Sequence, residues 1–194
     1  MAYSHALENI AGQDRPPSMT RIVRGKIDNN SWIEQQVLFE APHETYRTTR
    51  HHYGCRIVFD PWNFLYFAIG DRGAGYQAQD NSLPNGKVHR IHKDGSIPES
   101  NPFLFDESAM KSIYSLGNRN IQGMAVHPQT GRLWATEHGP MGGDELNLIC
   151  SGNNYGWETI TYGVNYNGAI ITELTHKPGM EQPVIYWKPS IAVC

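Results

Sequence analysis

Two segments of this chain repeat one another, and that repeat restricts the fold more than any other feature. Ile57-Val58-Phe59-Asp60-Pro61 is echoed by Met124-Ala125-Val126-His127-Pro128. Leu65-Tyr66 is echoed by Leu133-Trp134, and both copies then run into a glycine-containing turn. A third run follows each copy, Lys87 to Ile91 and Glu145 to Ile149. A unit of short strand, turn, strand, polar loop and strand cannot bury its own faces, so it must stack on neighbouring units. The reading is an all-β fold, a β-propeller built from such units.

The rest of the chain fits that frame. Thr20 to Lys26 and Glu34 to Phe39 read as strands around the turn Asp28-Asn29-Asn30. Ala41 to Arg50 reads as a loop, Cys55 to Phe59 as a strand, and Lys93-Asp94-Gly95 as a hairpin turn. Asp106 to Leu116 is the one stretch that reads as helical. With 19 glycines, 12 prolines, 10 tyrosines and 5 tryptophans, the composition favours a turn-rich β protein.

Several function classes drop out. The net charge is −3 with both signs mixed along the chain, so no basic stripe offers itself to nucleic acid. No apolar run approaches the roughly 18 residues of a membrane span. No basic segment followed by an apolar one opens the chain, so a signal peptide is not expected in it. No glycine-rich phosphate loop opens a helix, and no serine nucleophile motif is present. Cys55, Cys150 and Cys194 lack metal-type spacing, and Cys55 and Cys150 read as small buried thiols.

The chemistry-bearing residues concentrate at a few loops. His51-His52 precede a strand, and an imidazole there can take a hydroxyl proton. Arg119-Asn120 end a loop before another strand, and an Arg fork can hold developing negative charge. The loop Glu137 to Glu145 combines Glu, His and Asp with three glycines and a proline. Oxygen side chains beside open backbone carbonyls suit a hard cation. Asp71-Arg72 and Gln79-Asp80 read as structural polar pairs.

Across this chain GNRNIQGMAV, EHGPMGGDELNLI and GNNYGW, with HHYGCRIVFD, IGDRG, AQD and GSIPESNPF upstream and GVNYNG and EQPVIYWKPS downstream, follow one another in order. The pattern resembles the soluble aldose sugar dehydrogenases of the glucose/sorbosone dehydrogenase family, from about Ala2 to the last residue. The resemblance implies a six-bladed propeller that uses pyrroloquinoline quinone (PQQ) and calcium. It implies His52 as catalytic base, in a His-x-x-x-Arg pattern completed by Arg56. It implies cofactor contacts from Arg119, Asn120 and Tyr166, with Arg119 stabilising charge during catalysis. It implies a catalytic calcium on the carbonyls of Gly139 and Pro140, and a second calcium on Glu145 and the carbonyl of Tyr155. Asp144 serves that second site or caps locally. The implied substrate is an aldose sugar, oxidised to its lactone, with electrons passed to an external acceptor in the periplasm or outside the cell. A homodimer is compatible with these residues.

Ile121 and Glu158 stand where many members have proline. The run Ser190 to Cys194 ends without a turn, and Met1 to His5 has no strand before it. We therefore expect residues 1–194 to form one partial propeller domain, about half of a ring left open, with further blades on both sides and little activity alone. Alternatives of other classes are a calcium-dependent lactone hydrolase and a non-catalytic binding propeller. The dehydrogenase reading requires His52, Arg119 and the Gly139 carbonyl to share one cavity.

Overall fold

Leu65 to Ile69 are buried without exception, and their alternation decides the architecture. Leu65, Phe67 and Ile69 enter one core with Met19, Ile22, Phe39 and Ile91. Tyr66 and Ala68 enter another with Val88, Ile121, Leu133 and Ile149. A strand buried on both faces must lie between two other layers.

The computed structural model describes residues 1–9 and 11–194 and has that layout. Strands β1 (Ala2–Ala6), β2 (Ser18–Asp28) and β3 (Ser31–Phe39) form the first sheet. The second holds β4 (Ile57–Phe59), β5 (Leu65–Ile69), β6 (Lys87–Ile91) and β7 (Ile113–Leu116). The third holds β8 (Ile121–Val126), β9 (Leu133–Glu137), β10 (Asp144–Ile149) and β11 (Ile185–Trp187). Each sheet is an antiparallel meander of chain neighbours, so the sequence repeat corresponds to two sheets of the same topology. The protein is all-β, with three open sheets.

Alternating strand direction gathers the working loops. In the second and third sheets the entries to β4 and β8 and the exits from β5, β7, β9 and β11 lie at one end. That end therefore collects His51-His52, Asp71, Arg119-Asn120 and the loop 138–143. Arg72 stitches the first sheet to it. Its fully buried guanidinium donates to the carbonyls of Ser18 (2.9 Å), His51 (2.9 Å) and Thr49, and lies 3.6 Å from the Tyr53 ring centroid. The β2–β3 turn follows its chemistry: Asn29 and Asn30 have φ of 46° and 61°, the left-handed pair a two-residue hairpin needs.

Three expectations change. Asp106 to Leu116 is not helical. Asp106 accepts from the backbone and hydroxyl of Ser108, a local cap that holds a turn, and Ile113–Leu116 pairs with β6 as an edge strand. Cys150 is exposed rather than buried, because it lies just past the end of β10, and Cys55 is half-buried. The strand expected from Cys55 starts at Ile57, since Cys55 has φ of 87° and leaves extended geometry. Strands β1 and β11 were not expected at all.

The alternating run Lys87 to Ile91 has no solvent face, and all five residues are buried. His89 stacks on Phe67 with centroids 5.0 Å apart and planes 12° apart. Its Nε2 lies 3.0 Å from the Pro84 carbonyl, so it carries the proton, while Nδ1 accepts from the Ser112 hydroxyl at 3.0 Å. Burial pushes this imidazole down to about 3, so it is neutral. Among the described residues Lys87 donates only to the carbonyls of Gln77 (2.8 Å) and Asn85 (2.7 Å), and burial pushes its ammonium down to about 7.

Between that value and the ordinary 10.5, the unfolded chain binds a proton that the folded one does not. Stability should therefore rise with pH across this window, by on the order of a few kcal/mol. Lys87→Met should lack that slope. Urea denaturation of both proteins at intervals of pH measures the difference; parallel curves would contradict it.

Candidate functional site

His52 and Asp71 meet at the loop end of the second sheet. His52 lies just ahead of β4 and Asp71 just after β5, and Nδ1 of His52 is 2.6 Å from Oδ1 of Asp71. A carboxylate accepts only, so Nδ1 carries the hydrogen, and in the neutral ring Nε2 keeps a lone pair. Asp71 also accepts from the Gly73 amide (2.8 Å) and the Trp157 indole (2.7 Å). Burial alone would push this carboxyl up, but the bonds from His52, Gly73 and Trp157 hold it below the ordinary carboxylate range. Asp71 thus orients the imidazole, a part that its reading as a structural polar residue does not include.

Arg119 approaches from the third sheet. Its guanidinium donates to the carbonyls of His138 (2.9 Å) and Gly139 (2.7 Å) and sits 5.3 Å from the Trp157 ring centroid. Its own carbonyl accepts from the Asp71 amide at 2.8 Å, and its amide donates to Glu137 at 2.6 Å. Asn120 accepts from the amide of Gly54 (3.2 Å) and from Gln122 (3.0 Å), which fixes the entries to β4 and β8 together. Gly70 lies where these strands converge. A Cβ there would stand 2.4 Å from the His52 carbonyl oxygen and 3.0 Å from that of Arg119.

One cleft of about 480 Å³ joins these groups. His51, His52, Asp71, Arg119, Pro140 and Trp157 line it, with Glu158, Asn165 and Tyr166. Tyr166 is 75% exposed, which leaves its ring face free at the mouth. His52, Arg119 and Pro140 share this cleft, whereas Gly139, whose carbonyl accepts from Arg119, lines a neighbouring one, so the dehydrogenase reading's requirement is met only in part. Arg56 does not line the cleft: its guanidinium donates to the Gln122 carbonyl outside it.

Glu137 and Glu145 form a second centre behind Arg119. They are cross-strand partners on β9 and β10. Burial pushes both carboxyls up; Glu137 further raises Glu145, and Asp71 adds to the shift of Glu137. Asn118 donates to Glu137 at 2.8 Å and Asn147 to Glu145 at 3.0 Å. Among the described residues the amide oxygens of both asparagines are buried without a partner. Two carboxyls and two unpartnered amide oxygens on neighbouring residues are oxygen donors of the kind a hard cation takes. Among the described residues no three His, Cys, Asp or Glu side chains gather around a metal position, so amides and carbonyls would complete any shell.

Tyr155 and Asp144 behave differently. The Tyr155 side chain is locked in the core, donating to the Leu148 carbonyl (2.5 Å) and accepting from the Cys150 amide (2.8 Å). Only its carbonyl remains for a metal, and no hydrogen bond links Tyr155 to Glu145 among the described residues. Asp144 caps instead: it accepts from the amides of Gly139 (2.9 Å), Ile191 (3.0 Å), Ala192 (2.7 Å) and Val193 (3.3 Å). The Gly139 carbonyl already takes Arg119, and that of Pro140 takes the Ser190 hydroxyl at 3.2 Å. Each carbonyl has a second lone pair, so the turn can still ligate a cation.

Known proteins share this arrangement of sheets. The chain matches the soluble aldose sugar dehydrogenase of Escherichia coli, in its apo form, with a TM-score of 0.88 and 35% identity, over 97% of this chain and 53% of that one. The PQQ-bound aldose sugar dehydrogenase of Streptomyces coelicolor matches with a TM-score of 0.60 and 28% identity, over 89% of this chain and 46% of that one. In sequence it is 45% identical over 148 residues to aldose sugar dehydrogenase YliI of Escherichia coli (strain K12), covering 75% of this chain and 40% of that protein. The family model described as Glucose / Sorbosone dehydrogenase matches residues 3–194, and the chain belongs to that family. It spans about half or less of the length of these relatives.

Gly70→Ala should force apart the two strand ends that carry His52 and Arg119. We expect a loss of about 1–3 kcal/mol in stability and displaced imidazole resonances of His52. Thermal melts and histidine-selective NMR check this; wild-type spectra in the variant would show that the convergence at Gly70 does not set the site.

Proposed function

We propose that the chain carries the core of a sugar oxidoreductase, in which the anomeric carbon of an aldose is oxidised to a lactone with PQQ and calcium and electrons pass to an external acceptor. On this reading the three sheets are consecutive blades of a six-bladed propeller, about half of its ring. The observation that carries it is the shared cleft. An oriented imidazole, a guanidinium, an exposed tyrosine and Pro140 of the carbonyl-rich turn line one space.

The residues present fit the cofactors. A flat, anionic ring system suits a cleft with one guanidinium, the indole of Trp157 and the free ring of Tyr166. When bound, the quinone supplies the acceptor for the anomeric hydride and calcium supplies Lewis acidity toward it. Asp71 holds the His52 ring with Nδ1–H donated, so Nε2 takes the anomeric hydroxyl proton as the adjacent C–H bond breaks. Trp157 and Gly73 keep Asp71 ionised and still. Arg119 would hold the anionic cofactor and supply positive charge toward it, with Asn120 beside it. Gly139 and Pro140 would hold the catalytic calcium. Glu145, with the Tyr155 carbonyl and the neighbouring Glu137, would hold the second.

Titration of the purified chain with PQQ in the presence of calcium should quench tryptophan emission saturably, and Arg119→Ala should weaken binding roughly tenfold or more. An unsaturable response, or one indifferent to Arg119→Ala, would count against the reading. Turnover of aldose by the chain itself should lie roughly 100-fold or more below that of the Escherichia coli relative, because open sheets hold the site less firmly. Robust turnover would refute the incomplete-ring part alone.

Calcium should raise the melting temperature by about 5 °C at saturating concentration. Glu145→Gln should remove most of that rise. A rise of equal size in the variant would place the stabilising ion elsewhere.

A further inference from the structure

The cleft holds one charged side chain that the proposed chemistry leaves idle. Glu158 lies in it beside His51, His52, Asp71 and Arg119. Its carboxylate rests against the backbone of Gly75, where a Cβ would come within 2.1 Å of Oε2 and 3.0 Å of the Trp157 indole nitrogen. Gly75 has room for it only because it lacks a side chain. Glu158 is half-buried, and among the described residues no donor hydrogen-bonds to it and no cation pairs with it. Burial and the nearby Asp71 push its carboxyl up. A half-buried carboxylate without a donor is costly to keep.

The other charges in the cleft already have partners. Asp71 is engaged by His52, Gly73 and Trp157. The Arg119 guanidinium is engaged by two carbonyls. The charges also sort by wall. The guanidinium stands with the 138–140 turn, whereas both carboxylates stand with the 71–75 loop, as does His51, whose Nε2 lies against Gly73. An anionic planar cofactor is drawn to the guanidinium side. The carboxylate side is then left to the substrate.

We infer that Glu158 sets the charge preference of the substrate position: an aldose bearing a protonated amine is held best, a neutral aldose less well, and a sugar carboxylate is rejected. The amine would donate charge-assisted hydrogen bonds to the free Glu158 oxygens, and these are about twice as strong as neutral ones. A sugar carboxylate would face Glu158 and Asp71 together. This inference rests on reading the cleft as an aldose site.

The test uses the purified chain and histidine-selective NMR, with 2-amino-2-deoxyglucose, glucose and glucuronate titrated separately at neutral pH. The His52 ring resonances should respond to the amino sugar at roughly tenfold lower concentration than to glucose, and least to glucuronate. Glu158→Gln should bring the amino sugar and glucose to within about twofold of each other, with an unchanged melting temperature. Glu158→Asp, which keeps the charge, should keep the order. Equal affinity for amino sugar and glucose in the wild type, or a preference that survives Glu158→Gln, overturns this inference and leaves the aldose site standing. No response of His52 to any of the three sugars overturns both.

Discussion

The backbone of Arg119 ties this structure together. Its carbonyl accepts from Asp71 in the second sheet, its amide donates to Glu137 in the third, and its guanidinium reaches the carbonyls of the 138–139 turn. One residue thereby fixes the orienter of the imidazole, the buried carboxyl pair and the carbonyl-rich turn relative to each other. One of these four bonds joins backbone to backbone and the other three end on the Glu137 carboxyl or the Arg119 guanidinium, both largely buried, so backbone and side chain set the positions together. That is the kind of preorganisation on which differential stabilisation of a transition state depends.

The sheets support this hub by having no slack. β5 is buried on both faces, and β6 places even its Lys, His and Arg inside. Arg90 illustrates how such a residue is accommodated. It donates to Asn101 (2.7 Å) and Ser100 (2.8 Å) while its guanidinium lies 4.8 Å from the Phe64 centroid and 5.0 Å from that of Tyr114. Polar groups are neutralised, stacked or bonded to backbone, which gives the layers specific mutual positions rather than mere cohesion. The working end can then carry glycine-rich loops without losing its geometry.

Much of this was readable from residues alone, and what was not has a common cause. The repeated strands were legible because Ile57 to Phe59 and Met124 to Val126 carry alternation bounded by turn residues. β1, β7 and β11 escaped because their pairing partners are supplied by other segments and their own patterns are short. His52 and Arg119 were visible through family resemblance. Asp71 was visible only as a polar residue at a strand end, because its partners His52 and Trp157 lie 19 and 86 positions away. Glu137 read as the opening of a loop; its burial follows from pairing opposite Glu145, which no local pattern announces. Sequence thus showed which chemistry was present, and tertiary pairing decided which groups face one another.

The clamp at Asp144 has a reach beyond the loop it closes. Three successive amides, with Ala192 at a φ of 56°, curl around one oxygen of this carboxylate, while its other oxygen takes the Gly139 amide. The stretch 191–193 is therefore in mechanical series with the turn that carries Pro140 to the cleft. A shift of the 191–193 stretch is thus passed through a single carboxyl group to the Gly139 amide, so the tail works as a tuning peg for the turn.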